Sequence, residues 1–264
     1  MDLSKVKMVV SDMDGTLLNS QHEVSSRFLE QFQELKKRNI QFVAASGRQY
    51  HSMADKLHSI KDDIIFISEN GALIKKGEEE LSVTPINQKL IRELLEIVDS
   101  IDGAYAMLCG KYKSYFDGNS TAFLEQLKEY YSYYEIVEDY MNISDEIVKI
   151  AVYHGVSAEA YIYPKTKRLE DQVKVKVSGQ NWVDLNHIEA HKGNALQKVM
   201  NAYNIQSDEI LVFGDYNNDL EMLSLAEYSF AMENAHPNVK KVANFTTKSN
   251  DSYGVETILS ELIK

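Results

Sequence analysis

Short apolar runs alternate with amphipathic segments over the first part of the chain. Residues 6–10, 40–45 and 64–67 are apolar runs of strand length, and residues 25–37 carry apolar side chains at helical spacing. Residues 52–57 form a second, shorter helical pattern. Strands separated by helices at these intervals predict βαβ units and a parallel sheet.

The same alternation returns towards the C-terminus. Residues 193–203 place apolar side chains on one helical face, and residues 210–213 are an apolar run typical of a buried strand. A helical pattern follows at residues 219–226, and residues 228–232 and 245–247 are further candidate strands. We therefore expect this region to extend the parallel sheet.

The middle of the chain has a different pattern. Amphipathic helices are predicted at residues 88–99 and 121–134, and strand-like runs at residues 172–177 and 181–185 flank a Ser-Gly turn. Adjacent strand pairs of this kind indicate an α+β domain. Most of the tyrosines lie here, and we interpret them mainly as packing residues rather than sugar-stacking ones.

Together these patterns predict an α/β protein with a doubly wound, Rossmann-like parallel-sheet core and an inserted α+β domain. The core is assigned to residues 1–82 and 189–264, and the insertion to residues 83–188. In an open parallel sheet, ligands bind outside the carboxyl ends of the strands. Residues that follow different strands are therefore expected to meet at one edge of the core.

Composition narrows the class of protein. The chain has 264 residues and a formal net charge of −12, which argues against nucleic acid as a partner because phosphate neutralisation requires a basic face. Cys109 is the single cysteine, so no intramolecular disulfide can form and a reducing compartment is expected. Neither a signal-peptide pattern nor an apolar run of roughly 20 residues is present. We expect a cytoplasmic protein without membrane association; the oligomeric state stays open, and a monomer is compatible with the sequence.

The first strand ends in two carboxylates, Asp12 and Asp14, with Gly15 and Thr16 directly after them. Two such aspartates can converge on one small charged object, such as a divalent cation together with an anionic substrate. One of them could also attack the substrate covalently. An ordinary Asp-rich turn is the alternative, since Asp and Gly are common in turns.

Other strand ends supply a hydroxyl group, Ser46, and a third carboxylate, Asp215, and Asp219 adds a fourth carboxylate one helical turn later. Carboxylates that converge on one point repel each other unless a cation lies among them, and oxygen ligands favour Mg²⁺. Lys192 begins an amphipathic helix, where its charge opposes the helix dipole, so a compensating anion is expected. A solvated surface lysine is the alternative for that residue taken alone.

In combination these segments resemble the motifs of the haloacid dehalogenase (HAD) superfamily, Cof-type hydrolases with the inserted cap known as type IIB. The four core motifs are matched in order by Asp12-Met13-Asp14-Gly15-Thr16, Ala45-Ser46-Gly47-Arg48, Lys192-Gly193 and Gly214-Asp215-Tyr216-Asn217-Asn218-Asp219. Segments that resemble subfamily signatures are Asn70-Gly71-Ala72, Ala231-Met232-Glu233-Asn234-Ala235 and Asp251-Ser252-Tyr253-Gly254-Val255. The resemblance covers the whole predicted core and implies that the insertion is the cap.

The resemblance implies a phosphatase with a two-step mechanism. Asp12 would be the nucleophile and form an aspartyl-phosphate, and Asp14 would be the general acid and base. Mg²⁺ would be bound by the Asp12 side chain, the Asp14 backbone carbonyl and Asp215. Ser46 and Lys192 would bind the phosphate.

Further roles are implied around this centre. Asn218 would orient the phosphate or Lys192, and Asp219 would support the metal site from behind. Gly47, Arg48 and Asn70 are candidate substrate contacts. A structural contact between core and cap is the alternative for Arg48, and an Asn-Gly turn is the alternative for Asn70.

For three other residues near the motifs, the sequence allows two interpretations of their role. Asn234 either borders the site or caps the helix after it, and Thr16 either caps the turn or faces the phosphate. Tyr216 stands where relatives often have glycine. It either narrows the leaving-group pocket or lies on the surface.

The leading hypothesis is a Mg²⁺-dependent phosphatase of a small phosphorylated metabolite, with sugar phosphates as the favoured class. A phosphomutase or phosphotransferase would use the same residues, with a second hydroxyl group in place of water. A phospho-acceptor signalling module and a phosphosugar sensor are the alternatives outside enzymes. The Asp-x-Asp spacing and the insertion argue against the first, and the complete set of catalytic side chains argues against the second.

Overall fold

The structure is a computed structural model that describes residues 2–118, 120–121, 123–125 and 133–264. The chain divides into two compact units, Met1–Ser82 with His191–Lys264, and Val83–Ala190. Its helices and two sheets confirm the predicted α/β class. Within the described ranges, no helix has the length and apolar character needed to cross a membrane.

Strands and helices alternate along most of the chain. The strands are β1 (Met8–Asp12), β2 (Gln41–Ala45), β3 (Ile65–Ser68), β4 (Leu73–Lys76), β5 (Glu79–Val83), β6 (Ala104–Gly110), β7 (Ser114–Phe116), β8 (Tyr134–Ile136), β9 (Ile147–His154), β10 (Val173–Gly179), β11 (Trp182–His187), β12 (Ile210–Gly214), β13 (Tyr228–Ala231) and β14 (Phe245–Thr246). The α-helices described from end to end are α1 (Ser26–Lys37), α2 (Tyr50–Lys56), α3 (Gln88–Asp99), α4 (Ala158–Tyr161), α5 (Tyr163–Thr166), α6 (Lys192–Tyr203), α7 (Leu220–Leu223), α8 (Pro237–Val242) and α9 (Gly254–Leu262).

An eight-stranded sheet forms the centre of the first unit, in the order β14-β13-β12-β1-β2-β3-β4-β5. The strands from β14 to β3 pair in parallel, and β4 pairs antiparallel to β3. β1 and β12 are buried along their whole length, as expected for strands covered on both faces. The apolar pattern does not reveal β4 and β5, because lysines and glutamates interrupt it near the sheet edge.

Helix α1 shows how the sequence builds the βαβ unit around β1. Ser25 caps the helix by accepting a hydrogen bond from the backbone N–H of Phe28. Phe28, Phe32 and Leu35 are buried on one helical face, and the Phe28 ring centroid lies 5.0 Å from that of Phe42 in β2. This packing holds α1 against β2, and the parallel pairing of β1 with β2 places their carboxyl ends at the same edge.

A six-stranded sheet, in the order β10-β11-β9-β6-β7-β8, forms the centre of the second unit. Two separate hydrophobic clusters pack against it. Along β6, Leu108 belongs to one cluster and Met107 and Cys109 to the other, so the clusters cover opposite faces. The strand pair predicted at residues 172–185 is present as the antiparallel pair β10 and β11.

The predicted helix at residues 121–134 is described only in part. Residues 121 and 123–125 are helical, whereas Tyr130 and Tyr131 lie outside the described residues. The predicted C-terminal end is wrong, since Tyr134 begins β8 and pairs with Ser114. Strand pairing with β7 outweighs the local helical pattern at that point.

Several described tyrosines of this unit pack as expected. The rings of Tyr105 and Tyr153 stack on Phe123, with centroid distances of 5.0 and 5.1 Å. Tyr115 is buried, whereas Tyr112 is exposed. Among the described tyrosines of this unit, some therefore pack against other aromatic rings and others are exposed.

Candidate active site

Three polar residues follow adjacent parallel strands at one edge of the eight-stranded sheet. Asp12 ends β1, Ser46 follows β2 and Asp215 follows β12. β1 pairs with both of the other strands. The strand order therefore brings to one edge residues that are far apart in the sequence.

Lys192 is the centre of a buried ionic cluster. Its side chain is fully buried, and its Nζ donates to Asp12 Oδ1 and, at 2.7 Å, to Asp219 Oδ1. Asp219 Oδ2 accepts the backbone N–H groups of Asp215 and Tyr216, each at 3.0 Å. The carboxylates of Asp12 and Asp219 supply the anions that a lysine at the start of α6 requires. Lys192 is thus not a solvated surface residue.

This cluster holds more negative than positive charge. Asp12, Asp215 and Asp219 have carboxylate oxygens that all lie within 4.8 Å of one another. Burial raises the pKa of Asp12, and the nearby carboxylates add to this, although Lys192 opposes the shift. Burial, followed by repulsion from Asp219, raises the pKa of Asp215 to about 6. Burial alone would lower the pKa of Lys192, but Asp12 and Asp219 raise it, so the ammonium keeps its proton.

A divalent cation fits this donor set. Asp12 Oδ2 is buried and has no hydrogen-bond partner among the described residues. A buried carboxylate oxygen in that state is costly unless a proton or a cation satisfies it. Both oxygens of Asp219 are already bonded, and Asp215 Oδ1 accepts a bond from Thr16 at 3.3 Å. Asp12 and Asp215 are therefore the side chains best able to bind a hard cation such as Mg²⁺.

Asp14 lies in a different environment from Asp12. Its side chain is 39% exposed and accepts hydrogen bonds from Arg48 Nε and Nη2, both at 2.7 Å. His22 Nδ1 lies 3.3 Å from Asp14 Oδ1. Burial alone would raise the pKa of Asp14, but the hydrogen bonds and the charge of Arg48 lower it. Two carboxylates two residues apart thus have opposite pKa shifts.

The turn after β1 depends on Gly15. This residue has φ +76°, and a Cβ atom there would lie 2.3 Å from Asp215 Oδ2. Thr16 donates its hydroxyl hydrogen bond to Asp215 Oδ1. The turn is therefore packed directly against the carboxylate that follows β12.

The remaining predicted contacts join the loops after β2, β3 and β12. Ser46 is buried, and its Oγ accepts the backbone N–H of Arg48 at 3.1 Å. Asn70 has φ 58°, and its Oδ1 accepts a bond from Asn218 Nδ2 at 3.2 Å. A Cβ atom on Gly47 would lie 3.0 Å from the same Asn70 oxygen. These side chains therefore form a continuous group beside Arg48.

Sequence reasoning did not reveal the partners of Asp14. Arg48 is 34 positions away from it, and His22 occupies a left-handed turn, with φ 58°. A bidentate pair of this kind leaves no periodic signal in a sequence. For His22, the one sequence signal is that it is a polar residue in the loop after the Asp-x-Asp segment.

The structure separates the two interpretations of Asn234 and of Tyr216. His236, not Asn234, caps α8, and Asn234 Nδ2 instead donates to the Gly15 carbonyl at 2.8 Å. Tyr216 is 52% exposed, and its ring packs at a steep angle against His236. Asn234 therefore supports the turn after β1, and Tyr216 lies largely at the surface.

Comparisons with known proteins agree with this geometry. A family model described as haloacid dehalogenase-like hydrolase matches residues 9–259. The chain is 31% identical to the 5-amino-6-(5-phospho-D-ribitylamino)uracil phosphatase YbjI of Escherichia coli, over 98% of this chain and 97% of that protein. It is 25% identical to the phosphatase YwpJ of Bacillus subtilis, over 98% of this chain and 100% of that protein.

Solved structures give the same result. The structure of SMU.1108c from Streptococcus mutans matches with a TM-score of 0.85 at 31% identity, over 97% of this chain and 98% of that one. The sugar phosphatase BT4131, described as a member of HAD subclass IIB, matches with a TM-score of 0.80 at 19% identity, over 98% of this chain and 100% of that one. At that identity the second likeness shows the fold alone.

A parallel sheet with aspartates, a lysine and a serine at its carboxyl edge agrees with the HAD fold that the family model and the solved structures indicate. The chain belongs to the haloacid dehalogenase-like hydrolase family, as its motifs predict. Within that family it is a phosphatase, a phosphoric monoester hydrolase, like the relatives that it matches over their whole length.

Proposed function

We propose that this phosphatase requires Mg²⁺ and hydrolyses sugar or sugar-alcohol phosphates through an aspartyl-phosphate on Asp12. The observation that carries the proposal is the buried Asp12 Oδ2, which has no hydrogen-bond partner among the described residues and lies within a cluster of three aspartates. Such an oxygen has a lone pair available for attack on phosphorus or for a cation. Mg²⁺, when bound by Asp12 and Asp215 with the Asp14 carbonyl, would offset the charge of the nucleophile and the phosphate.

In the first step, a carboxylate oxygen of Asp12 forms a bond to phosphorus while the bond from phosphorus to the ester oxygen breaks. The ester oxygen keeps the electron pair and takes a proton from Asp14. Lys192 and Asp219 keep Asp12 oriented. An ammonium has three N–H donors, so Lys192 retains one that can reach a phosphate oxygen.

In the second step, water attacks the phosphorus and gives a proton to Asp14, and the Asp12 carboxylate leaves. The Asp14 carboxylate bonded to Arg48 is the form that this step needs, since Arg48 lowers the pKa of Asp14. The first step needs Asp14 in its protonated form. We therefore expect the bond between Asp14 and Arg48 to open when substrate binds.

Support for the proposed substrate class comes from a relative rather than from the geometry. The E. coli relative is named for a substrate whose phosphate is carried by a ribityl chain. That name indicates an alkyl phosphate ester on a polyhydroxylated chain. A poor alkoxide leaving group of that kind requires an acid such as Asp14.

We also propose that the unit Val83–Ala190 is the type IIB cap and selects the leaving group. Its chain is inserted between β5 and α6, and a solved structure described as subclass IIB shares the fold over nearly the whole chain.

A phosphate-release assay tests the proposal. The panel contains glucose 6-phosphate, ribose 5-phosphate, ribitol 5-phosphate, AMP, acetyl phosphate and 4-nitrophenyl phosphate, each with Mg²⁺ and with EDTA. We expect phosphate release from the sugar or polyol phosphates, dependent on Mg²⁺. Isomeric sugar phosphates in place of free phosphate would support a mutase instead, and activity that persists in EDTA would contradict the metal requirement.

Metal binding is tested apart from turnover. Calorimetric titration with Mg²⁺ should show binding to the unmodified protein and a large loss of affinity in Asp215→Asn. Asp208→Asn, which removes a partly exposed carboxylate paired with Lys5, is the matched control. Equal affinity in Asp215→Asn and the control would remove Asp215 from the site.

The covalent step is tested by trapping. Labelled acetyl phosphate carries a good leaving group, so Asp14→Asn should still be phosphorylated while its hydrolysis is slow. We expect the Asp14→Asn protein to carry the phosphate label and hydroxylamine to release that label, as it does from an acyl phosphate. The double variant that also carries Asp12→Asn should take up no label. Label that survives the removal of Asp12 would contradict the assigned nucleophile.

A further inference from the structure

Two asparagines from the C-terminal part of the first unit bind the loop between β1 and α1. Asn234 Nδ2 donates to the Gly15 carbonyl at 2.8 Å, and Asn250 Nδ2 donates to the Leu18 carbonyl at 2.9 Å. Both asparagine side chains thus satisfy carbonyl groups of the turn that carries Asp14. The loop's own backbone bonds use other groups, since the N–H groups of residues 16 and 18 bond to the carbonyl of residue 13.

The two asparagines are connected to each other and to a third residue. The backbone N–H of Asn250 donates to Asn234 Oδ1 at 3.3 Å. Asp251 Oδ1 accepts the backbone N–H of Ser20 at 2.8 Å, further along the same loop. We call Asn234, Asn250 and Asp251 the clamp.

The clamp is also anchored to the strand that leads to Asp215. The backbone N–H of His236 donates to the Asp215 carbonyl at 2.8 Å, and that of Met232 donates to the Gly214 carbonyl at 3.2 Å. Asn234 lies between these two anchor points. The segment that bears it therefore contacts both the turn after β1 and the loop after β12.

The segment that the clamp binds is also held by Arg48 on Asp14, by the Thr16 hydroxyl on Asp215 and by its own backbone bonds to residues 12 and 13. Its backbone is nevertheless unusual, since Gly15 has a left-handed φ of +76° and the loop beyond it includes His22, which is exposed and also left-handed. Without the clamp, the Gly15 and Leu18 carbonyls would lose these partners, and the turn could shift within its remaining contacts. Asp14, between Met13 and Gly15, would move with it.

We propose that Asn234, Asn250 and Asp251 are positioning residues, which hold the turn so that Asp14 meets the ester oxygen of the substrate. This rests on the proposed acid–base role of Asp14. It gives a physical function to the two C-terminal signature segments, which lie far in the sequence from the Asp12–Thr16 motif and the loop after it that they contact. Proton transfer is sensitive to displacements of a fraction of an ångström, so a mispositioned acid slows the step that needs it.

The test compares two leaving groups in the full-length enzyme. The alkyl ester is whichever of ribose 5-phosphate, ribitol 5-phosphate and glucose 6-phosphate the unmodified enzyme uses best, and 4-nitrophenyl phosphate is the ester that needs no acid. In Asn234→Ala and Asn250→Ala we expect kcat/KM for the alkyl ester to fall about 10- to 100-fold, and that for the nitrophenyl ester by no more than about threefold. Equal falls for both esters, or no fall for the alkyl ester, would overturn the proposal.

Two variants separate the hydrogen bond from general loss of folding. Asn250→Asp keeps the shape of the side chain but removes the donor, so it should reproduce the selective loss. Asn244→Ala removes an asparagine that bonds to the carbonyls of Ala226 and Glu227, away from the loop, and should leave the ratio of the two kcat/KM values unchanged. A wild-type ratio in Asn250→Asp, or an altered ratio in Asn244→Ala, would overturn the assignment.

Asp14→Asn is the benchmark that separates this proposal from the proposed function. It should show the same selectivity for the alkyl ester, with a loss of at least about 100-fold. Equal losses for both esters in Asp14→Asn would overturn the acid role of Asp14 itself. A selective loss in Asp14→Asn with uniform losses in the clamp variants would overturn the clamp alone.

Discussion

The two units of this protein differ in the surroundings of their buried polar groups. In the first unit, Asp12, Lys192 and Asp219 are buried together, and one Asp12 oxygen has no partner among the described residues. In the second unit, Asn186 Nδ2 donates to the Val148 carbonyl at 3.1 Å, as a polar group that supports a strand does.

Asp145 makes the contrast more specific. It also has a buried oxygen without a partner among the described residues, but its other oxygen accepts bonds from the Tyr115 hydroxyl and the Tyr112 backbone N–H. It is not part of the carboxylate cluster found in the described residues. A single unsatisfied oxygen is therefore weak evidence for a site, whereas convergent carboxylates around a buried lysine are strong evidence.

This difference implies that a substitution at a carboxylate of the cluster and a substitution in the apolar clusters of the second unit should affect activity and stability differently. A cluster with excess negative charge is a cost to folding that function requires. Apolar packing against the six-stranded sheet contributes to folding and supplies no chemistry. Substitutions in the two units should therefore separate the two properties.

The largest effect is expected for Asp12→Asn in the first unit. Loss of the nucleophile should lower kcat by on the order of 10⁴-fold or more. The melting temperature should stay the same or rise, because one of three crowded carboxylates is gone. Steady-state kinetics and calorimetry measure both, with Asp208→Asn as the control. Turnover near the wild-type level would remove Asp12 from catalysis.

Lys192→Met tests whether Lys192 stabilises the protein through its charge in the ionic cluster and not only through burial of its side chain. Two buried carboxylates would lose their shared cation, which should lower the free energy of unfolding by about 3–5 kcal/mol. Urea denaturation measures this, and Lys198→Met on the same helix is the control, with a loss below about 0.5 kcal/mol. Equal losses in the two variants would contradict the view that Lys192 neutralises the cluster.

Phe123→Ala tests the second unit. Phe123 is buried against Tyr105, Phe116 and Tyr153, with ring centroids at 5.0, 5.0 and 5.1 Å, so truncation leaves a cavity. We expect a stability loss of about 3–5 kcal/mol. Tyr112→Ala, at an exposed position, should cost within about 0.5 kcal/mol. A small effect at Phe123 would show that this cluster does not stabilise the unit.

Among these substitutions, Gly15→Ala should have the smallest effect in free energy, and the cause of that effect is confined to the turn after β1. Its Cβ atom would meet Asp215 Oδ2 at 2.3 Å, which displaces either the turn or the carboxylate. We expect kcat to fall about 100-fold and more Mg²⁺ to be required for half-maximal rate. Gly77→Ala has a similar positive φ but no close contact, so it controls for backbone strain. Similar kinetics in the two variants would contradict the steric explanation.

Much of the fold could be predicted because its strands carry strong local signals. The apolar runs of β1, β2, β3 and β12 are buried, and the first helix has a clear apolar face and cap. The end of the predicted helix at residue 134 was wrong, because pairing with β7 is a contact that local periodicity does not contain. The β4 and β5 strands were hidden by their charged residues.

The candidate site likewise contains residues that the sequence predicts and contacts that it does not. Asp12, Asp14, Ser46, Lys192 and Asp215 could be named from the sequence, because strand ends and motif spacing mark them. Their partners could not be named in advance. The bond from Arg48 to Asp14 and the bonds from the clamp to the turn join segments that only the folded chain brings together.

The sequence by itself determined which chemical groups are available and, through the βαβ pattern, at which edge of the sheet they lie. Only the tertiary structure decided how each group is charged and held. Asp12 is buried beside Lys192 and two carboxylates, and its pKa is raised, whereas Asp14 lies half-exposed beside Arg48, and its pKa is lowered. Burial and the distance to other charges set these shifts, and both depend on residues that are remote in the chain.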